Sequence, residues 1–191
     1  MTFLKDIAFT FTGHTIRFKV ENNPGGDCVV IQTKDISERF AGIDANALNK
    51  IFVAEVPPHQ QLNKDDILLL SKGTKNRAIL YSGSHQYAVA TSAFTIIRLK
   101  STHLLPGYLA WYLNSKPAQD YFNANRAGTT TLNLLKQAID QLEVPVPPVQ
   151  LQEKMLNLIN TTQQYRYLLE EYTHHVHLLT ETILQKQIKQ Q

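Results

Sequence analysis

After Pro147-Pro148 the chain contains neither proline nor glycine, leaving 43 residues without either helix breaker and able to form one helix of roughly 60 Å. Within it Leu151, Met155, Leu158, Thr162, Tyr165, Leu169, Tyr172, Val176, Leu179 and Ile183 step by alternating fours and threes. That is a heptad seam. Leu168, Leu178, Leu184 and Ile188 widen it beyond a simple two-stranded stripe. A helix this long cannot bury such a stripe against a domain of about 150 residues, so much of it is expected to meet another helix. The expected arrangement is an arm that pairs with a second chain, with a helix folded back on its own domain as the alternative.

The rest of the chain suits one domain of ordinary size. At 43% hydrophobic residues it is a folding sequence. The single cysteine, Cys28, lies in the apolar run Cys28-Val29-Val30-Ile31 and is expected to be a small core residue. A lone cysteine permits no intramolecular disulfide and fits a reducing compartment. No basic-then-apolar leader follows Met1, and no apolar run approaches 18 residues. Neither secretion nor membrane insertion is expected, and a cytoplasmic location is.

Charge is distributed unevenly. Residues 1–66 hold seven Lys/Arg against nine Asp/Glu. Residues 67–119 hold Lys72, Lys75, Arg77, Arg98, Lys100 and Lys116 without one carboxylate. An acid-free stretch of this length is a candidate footprint for a polyanion, against the simpler reading of a solvated basic patch.

Residues 1–20 alternate loosely, as a strand or hairpin turning near Gly13. Buried strands are predicted at Cys28-Val29-Val30-Ile31, over 51–56, at Ile67-Leu68-Leu69-Leu70, and over 77–81, 87–91 and 94–99. Helical signals begin at Pro106 and Pro117. Thr129-Thr130-Thr131 offers N-cap hydroxyls to a third helix carrying Leu132, Leu135, Ile139 and Leu142. The predicted class is α+β: a β-rich domain with a small helical part over 1–147, then a helical arm over 148–191.

Catalytic signatures are missing. No Asp or Glu stands two residues before a lysine, as a common metal-dependent nuclease site requires. Neither proline pair fits the clamp that a base-flipping methyltransferase closes on its target, and no Gly-Lys-Ser/Thr phosphate loop occurs. His174, His175 and His177 are not assigned a metal. No nucleophile-elbow signature occurs either. Catalysis by this chain is not expected.

Binding is better supported. Ser71-Lys72-Gly73-Thr74-Lys75-Asn76-Arg77 joins two predicted strands. Its lysines and hydroxyls suit phosphates, whereas Arg77 and Asn76 are able to contact guanine and adenine edges. Ser84-His85-Gln86-Tyr87 is a second loop of base-reading residue types. Arg126-Ala127-Gly128-Thr129-Thr130-Thr131 runs into a predicted helix start, where backbone N–H groups hold phosphates.

The order of these features is similar to that in specificity subunits of type I restriction–modification systems. Lys64-Asp65-Asp66-Ile67-Leu68-Leu69-Leu70-Ser71-Lys72-Gly73-Thr74 resembles a segment of their target recognition domains, with Asp65 where the family usually has glycine. Ile31-Gln32-Thr33-Lys34-Asp35-Ile36 resembles the strand-plus-Asp-Ile segment that precedes it. The run Leu142-Glu143-Val144-Pro145-Val146-Pro147-Pro148, followed by Gln152-Glu153-Lys154, resembles the family's passage into its long helix, with Leu151 in place of a usual Glu.

The resemblance implies a non-catalytic subunit without a cofactor of its own, recognising double-stranded DNA. It docks an adenine methyltransferase subunit that uses S-adenosylmethionine and, through that, a restriction/translocase subunit. The family's usual member carries two recognition domains and two long helices. This chain resembles half of one, and two copies joined by their helices would read a bipartite site. The implied DNA contacts are Lys34, Lys72, Thr74, Lys75, Asn76, Arg77, His85, Gln86, Arg126, Thr129, Thr130 and Thr131. The implied helix interface is Leu151, Met155, Leu158, Tyr165, Leu169, Tyr172, Val176, Leu179 and Ile183. The alternatives are a coiled-coil adaptor without DNA contact, and the recognition half of a fused methyltransferase–nuclease.

Overall fold

The computed structural model describes residues 1–36, 42–43, 48–53, 55–73, 75–127 and 133–189, Lys189 by its backbone alone. The chain is α+β and divides into two compact units, Met1–Gln152 and Glu153–Gln191. In the first, β1 (Thr2–Phe3), a single turn α1 (Leu4–Ile7) and β2 (Ala8–Thr12) are followed by β3 (Cys28–Ile31), β4 (Asn49–Ile51), β5 (Ile67–Leu70) and β6 (Ala78–Leu80). Then come β7 (Ala88–Ala90), β8 (Phe94–Leu99), α2 (Pro106–Leu113), α3 (Lys116–Ala124), β9 (Arg126–Ala127), β10 (Asn133–Leu134), α4 (Lys136–Asp140) and β11 (Glu143–Val144). The long helix α5 (Val149–Lys189) starts here and continues through the second unit.

Two sheets enclose the main core. The antiparallel sheet runs β2-β8-β5-β6, and the mixed sheet runs β4-β3-β7 with β3 and β7 parallel. Successive strand residues face opposite sides. Val29 and Ile31 therefore pack with Leu68, Ala88, Ala90, Phe94 and Ile96 between the sheets, while Cys28 and Val30 join Ile51, Val56 and Val89 on the far side. Burial on both faces is why β3 reads as an unbroken apolar run. Burial also lifts the Cys28 thiol pKa to about 11, with Asp27 adding to the shift. On the four-stranded sheet, Ile67, Leu69 and Ile97 are buried as well, and α2 packs against β6. There Asn114 accepts from the Ala78 N–H at 3.0 Å and donates to the Ala78 carbonyl at 2.7 Å.

Three local expectations change. Residues 1–20 form no hairpin: β2 pairs with β8, about ninety residues away, in the register Ala8↔Leu99 to Thr12↔Thr95. Gly13 then crosses so close to the end of β7 that a Cβ there would lie 2.2 Å from the Thr91 carbonyl oxygen. Glycine is required for contact, not for a turn. The strand expected over 51–56 is instead Asn49–Ile51, and Val53 and Val56 serve the core as loop residues. Helix α4 begins at Lys136 with Leu135 at its N-cap, after a short strand. Thr129, Thr130, Thr131 and Leu132 lie outside the described residues.

Two Asp-Ile pairs shape the turns on which the site is built. Asp35 accepts the Gln32 N–H at 2.8 Å, and Asp66 accepts the Asn63 N–H at 2.8 Å. Each carboxylate thus reaches back three residues to close a turn. Asp66 also receives Arg98 Nε at 2.8 Å and Nη2 at 2.7 Å, while Arg98 Nη2 donates to the Gln61 carbonyl at 2.8 Å. Hydrogen bonding to Asp66 raises the Arg98 pKa. Asp65, at the family's glycine position, has φ +71°, the left-handed conformation that glycine adopts without cost.

The two ends of the first unit are tied together by β1–β11 pairing and by the Leu4 N–H on the Leu142 carbonyl. At the start of α5, Gln152 is completely buried. Its Oε1 accepts from the Leu105 N–H at 2.8 Å, and its Nε2 donates to the carbonyls of His103 at 2.9 Å and Pro147 at 2.7 Å.

Candidate nucleic-acid interface

The connection 91–93 between β7 and β8 is the centre of one end of the two sheets. Thr91 donates its N–H to the Ile31 carbonyl at 3.0 Å, bringing the end of β3, and Lys34 beyond it, to this turn. The Ala93 carbonyl receives the N–H and hydroxyl of Ser71, at 2.9 and 3.1 Å, and the Lys72 N–H at 3.3 Å. Lys72 Nζ lies 3.4 Å from Ser92 Oγ. Gly73 has φ +108° with no atom within 4 Å of a Cβ position, so conformation rather than crowding calls for glycine there.

The loop over 71–77 is joined to a segment read separately in the sequence. The Ser71 carbonyl accepts the Leu134 N–H at 2.8 Å, and Lys72 forms a bridge with Asn133. Arg126 Nε donates to Asn76 Oδ1 at 2.9 Å. Lys34, Lys72, Lys75, Arg77 and Arg126 therefore belong to one end of the fold. Lys34, Lys72 and Lys75 are exposed, and Arg77 and Arg126 half-buried. The remaining expected contacts in these loops, Thr74 and Thr129 to Thr131, lie outside the described residues.

The geometry sets three of the expected contacts apart from the others. Asn76 is 1% exposed, with Nδ2 on the Leu70 carbonyl at 2.8 Å and Oδ1 occupied by Arg126. Its own carbonyl accepts Gln119 Nε2 at 2.7 Å. Asn76 is a clasp inside the loop, with no exposed amide edge for a base. His85 and Gln86 do not join the lysine-bearing end. They follow β6, whose far end pairs with the start of β5, and His85 is held by Tyr81, whose hydroxyl donates to the His85 carbonyl at 3.1 Å.

The acid-free stretch is also less uniform than its composition. Arg98 is locked onto Asp66, and Lys116 meets Asp120 at 2.7 Å. Lys100 donates to the Lys5 carbonyl and lies 4.8 Å from the Phe9 ring centroid. Beside 91–93, Lys72 is exposed with its Nζ near Ser92, and Lys34 is exposed with Asp35 at 3.9 Å. Sequence reasoning passed over Ser92 and the hydrogen-bonded pair His14 and Gln60, which adjoin the same turn: His14 bridges with Thr91, and His14 Nδ1 lies 2.9 Å from Gln60 Oε1. The signal was the Gly13-His14 dipeptide, whose glycine marks a close backbone approach.

Along α5, the expected interface residues Leu158, Tyr165, Leu169, Tyr172, Val176, Leu179 and Ile183 are 44–70% exposed, Leu151 is exposed and Met155 half-buried. Thr162, the polar member of the seam, donates its hydroxyl to the Leu158 carbonyl at 2.9 Å. Its hydrogen-bonding need is thereby met within the helix. Among the described residues no helix is long and apolar enough to cross a membrane.

The family model for the type I restriction modification DNA specificity domain matches residues 1–172. The chain belongs to this family. No curated protein matches it in sequence. The fold of this specificity domain is shared with a chain from a structure of a type I R-M system, described under complex assembly and conformational transition (TM-score 0.68, 13% identity, 95% of this chain and 42% of that one). It is shared too with the HsdS subunit from Thermoanaerobacter tengcongensis (TM-score 0.63, 13% identity, 89% and 38%). The type I S subunit from M. genitalium also matches (TM-score 0.57, 14% identity, 85% and 38%). The specificity domain thus spans about two-fifths of the length of these solved chains.

Proposed function

We propose that this chain is the DNA-recognition component of a type I restriction–modification system, present as one recognition domain with one spacer helix. The observation that carries the reading is the position of Lys72 at the turn 91–93, with Lys34 just beyond the strand end joined to that turn, in a domain of the specificity family. Ammonium groups there neutralise phosphates and set register along the duplex, while Arg77 supplies a fork suited to guanine. The chain does no chemistry. It positions a methyltransferase subunit that methylates adenine with S-adenosylmethionine, and indirectly a restriction/translocase subunit. Exposed seam residues on α5 support pairing between two copies, with the two domains presented to the two halves of a bipartite site.

The test is to express the chain with its methyltransferase partner and map methylated adenines. A single bipartite motif with inverted half-sites is the expected result. Methylation without any motif, or unaltered when this chain is omitted, overturns the proposal. In binding assays Lys72→Ala is expected to weaken all duplexes and flatten the salt slope by about one ion.

A further inference from the structure

We infer that His14, held by Gln60, is a base-reading specificity residue beside the lysine-bearing turn. The inference rests on the DNA-recognition reading and adds a contact that the basic loops alone do not supply. β2 leaves its sheet after Thr12, and the His14 N–H donates to the Ala90 carbonyl at 2.7 Å. The bridge from His14 to Thr91 sets its backbone at the start of 91–93, the turn whose Ala93 carbonyl Ser71 and Lys72 grip. The His14 backbone thus meets the same three-residue turn whose Ser92 lies 3.4 Å from the Lys72 ammonium. His14 and Gln60 are each half-buried, so the pair is accessible without being loose.

The hydrogen bonds determine what His14 is able to read. Gln60 Nε2 is 3.2 Å from the Thr12 carbonyl oxygen, which only accepts. The amide nitrogen must therefore face Thr12, and Oε1 faces His14 Nδ1 at 2.9 Å. Because Oε1 also only accepts, the neutral imidazole carries its proton on Nδ1. That leaves Nε2 as an acceptor. In the major groove an acceptor selects the exocyclic amino groups of adenine N6 or cytosine N4, and rejects thymine O4 and guanine O6. His59, whose ring lies tilted 5.3 Å from that of Phe11, and the helical turn Pro58–Gln60 anchor Gln60 against β2.

The test is selection of duplexes from a randomised library by the full chain, comparing the wild type with His14→Ala, Gln60→Leu and Lys72→Ala. His14→Ala should lose discrimination about tenfold at one base-pair position that favours an amino-bearing base, and leave the salt slope unchanged. Gln60→Leu, which leaves His14 in place but removes its orientation, should blur the same position and no other. If both variants return the wild-type preference at every position while Lys72→Ala weakens binding, the footprint stands and His14 is not a reader. If Lys72→Ala is also without effect, or the wild type enriches nothing, the DNA-recognition reading fails and takes this inference with it.

Discussion

Asp65 and Asn76 show how differently two polar residues in neighbouring turns act. Asp65 is exposed and left-handed, so its side chain contributes little while its Cβ strains the backbone. Asp65→Gly should be neutral or stabilise by up to about 1 kcal/mol, and Asp65→Val should destabilise by about 1–2 kcal/mol. Urea melts of the two variants check this; equal stability of Gly and Val would contradict it. Asn76→Ala removes a buried carboxamide that serves both the Leu70 carbonyl and Arg126. A loss of about 2 kcal/mol is expected, together with weaker DNA binding that tracks the lost fold. Lys72→Ala, at an exposed side chain, should leave the urea midpoint in place. At this scale the Asp-Ile pairs were legible as motifs, because a short carboxylate before a strand is a turn signal. Asn76 was not. Composition reveals that a residue is able to hydrogen-bond, but whether it points at solvent or at Leu70 depends on Gln119 and Arg126, each more than forty residues away.

Among the elements, α5 was legible from sequence alone because nothing after Pro148 interrupts a helix. Of the strand or hairpin expected before Gly13 the strand is present, but its partner is β8, and local alternation carries no information about so distant a partner. What fixes the start of α5 was equally hidden: Gln152 saturates three backbone groups from two other segments. Gln152→Leu keeps the volume but leaves those groups buried and unpaired, so a loss of about 3 kcal/mol is expected in thermal or urea unfolding of the full chain. Strand β3 allows a chemical check. The buried Cys28 thiol titrates near 11, so in the folded chain it stays protonated and should resist alkylation at pH 8 until urea exposes it. Its folded pKa is raised above the unfolded value, so stability is fully present below pH about 9 and is lost as pH rises from there toward about 11. Rapid alkylation of the native chain at pH 8 would contradict the burial argument.

For the whole molecule, the proposed arrangement turns on a helix whose apolar seam is exposed and on a domain that is two-fifths of its solved relatives' length. Two copies paired through α5 would hide Leu158, Tyr165, Leu169 and Tyr172 and restore two reading heads. Leu169→Asp places a charge at the seam's middle and should shift the chain from dimer to monomer in sedimentation at micromolar concentration, leaving the Met1–Gln152 unit folded. A wild-type chain that sediments only as a monomer, with and without DNA, counts against pairing. A geometric consequence separates a spacer from a mere tether. If two α5 helices lie antiparallel along their length, the separation of the domains is the helix length. Inserting one heptad in register then adds about 10 Å, at 1.5 Å per residue. At 3.4 Å per base pair the gap between methylated half-sites should grow by about three base pairs, with both half-site sequences unchanged. A flexible tether would tolerate the insertion with the original gap, whereas a rigid spacer would not.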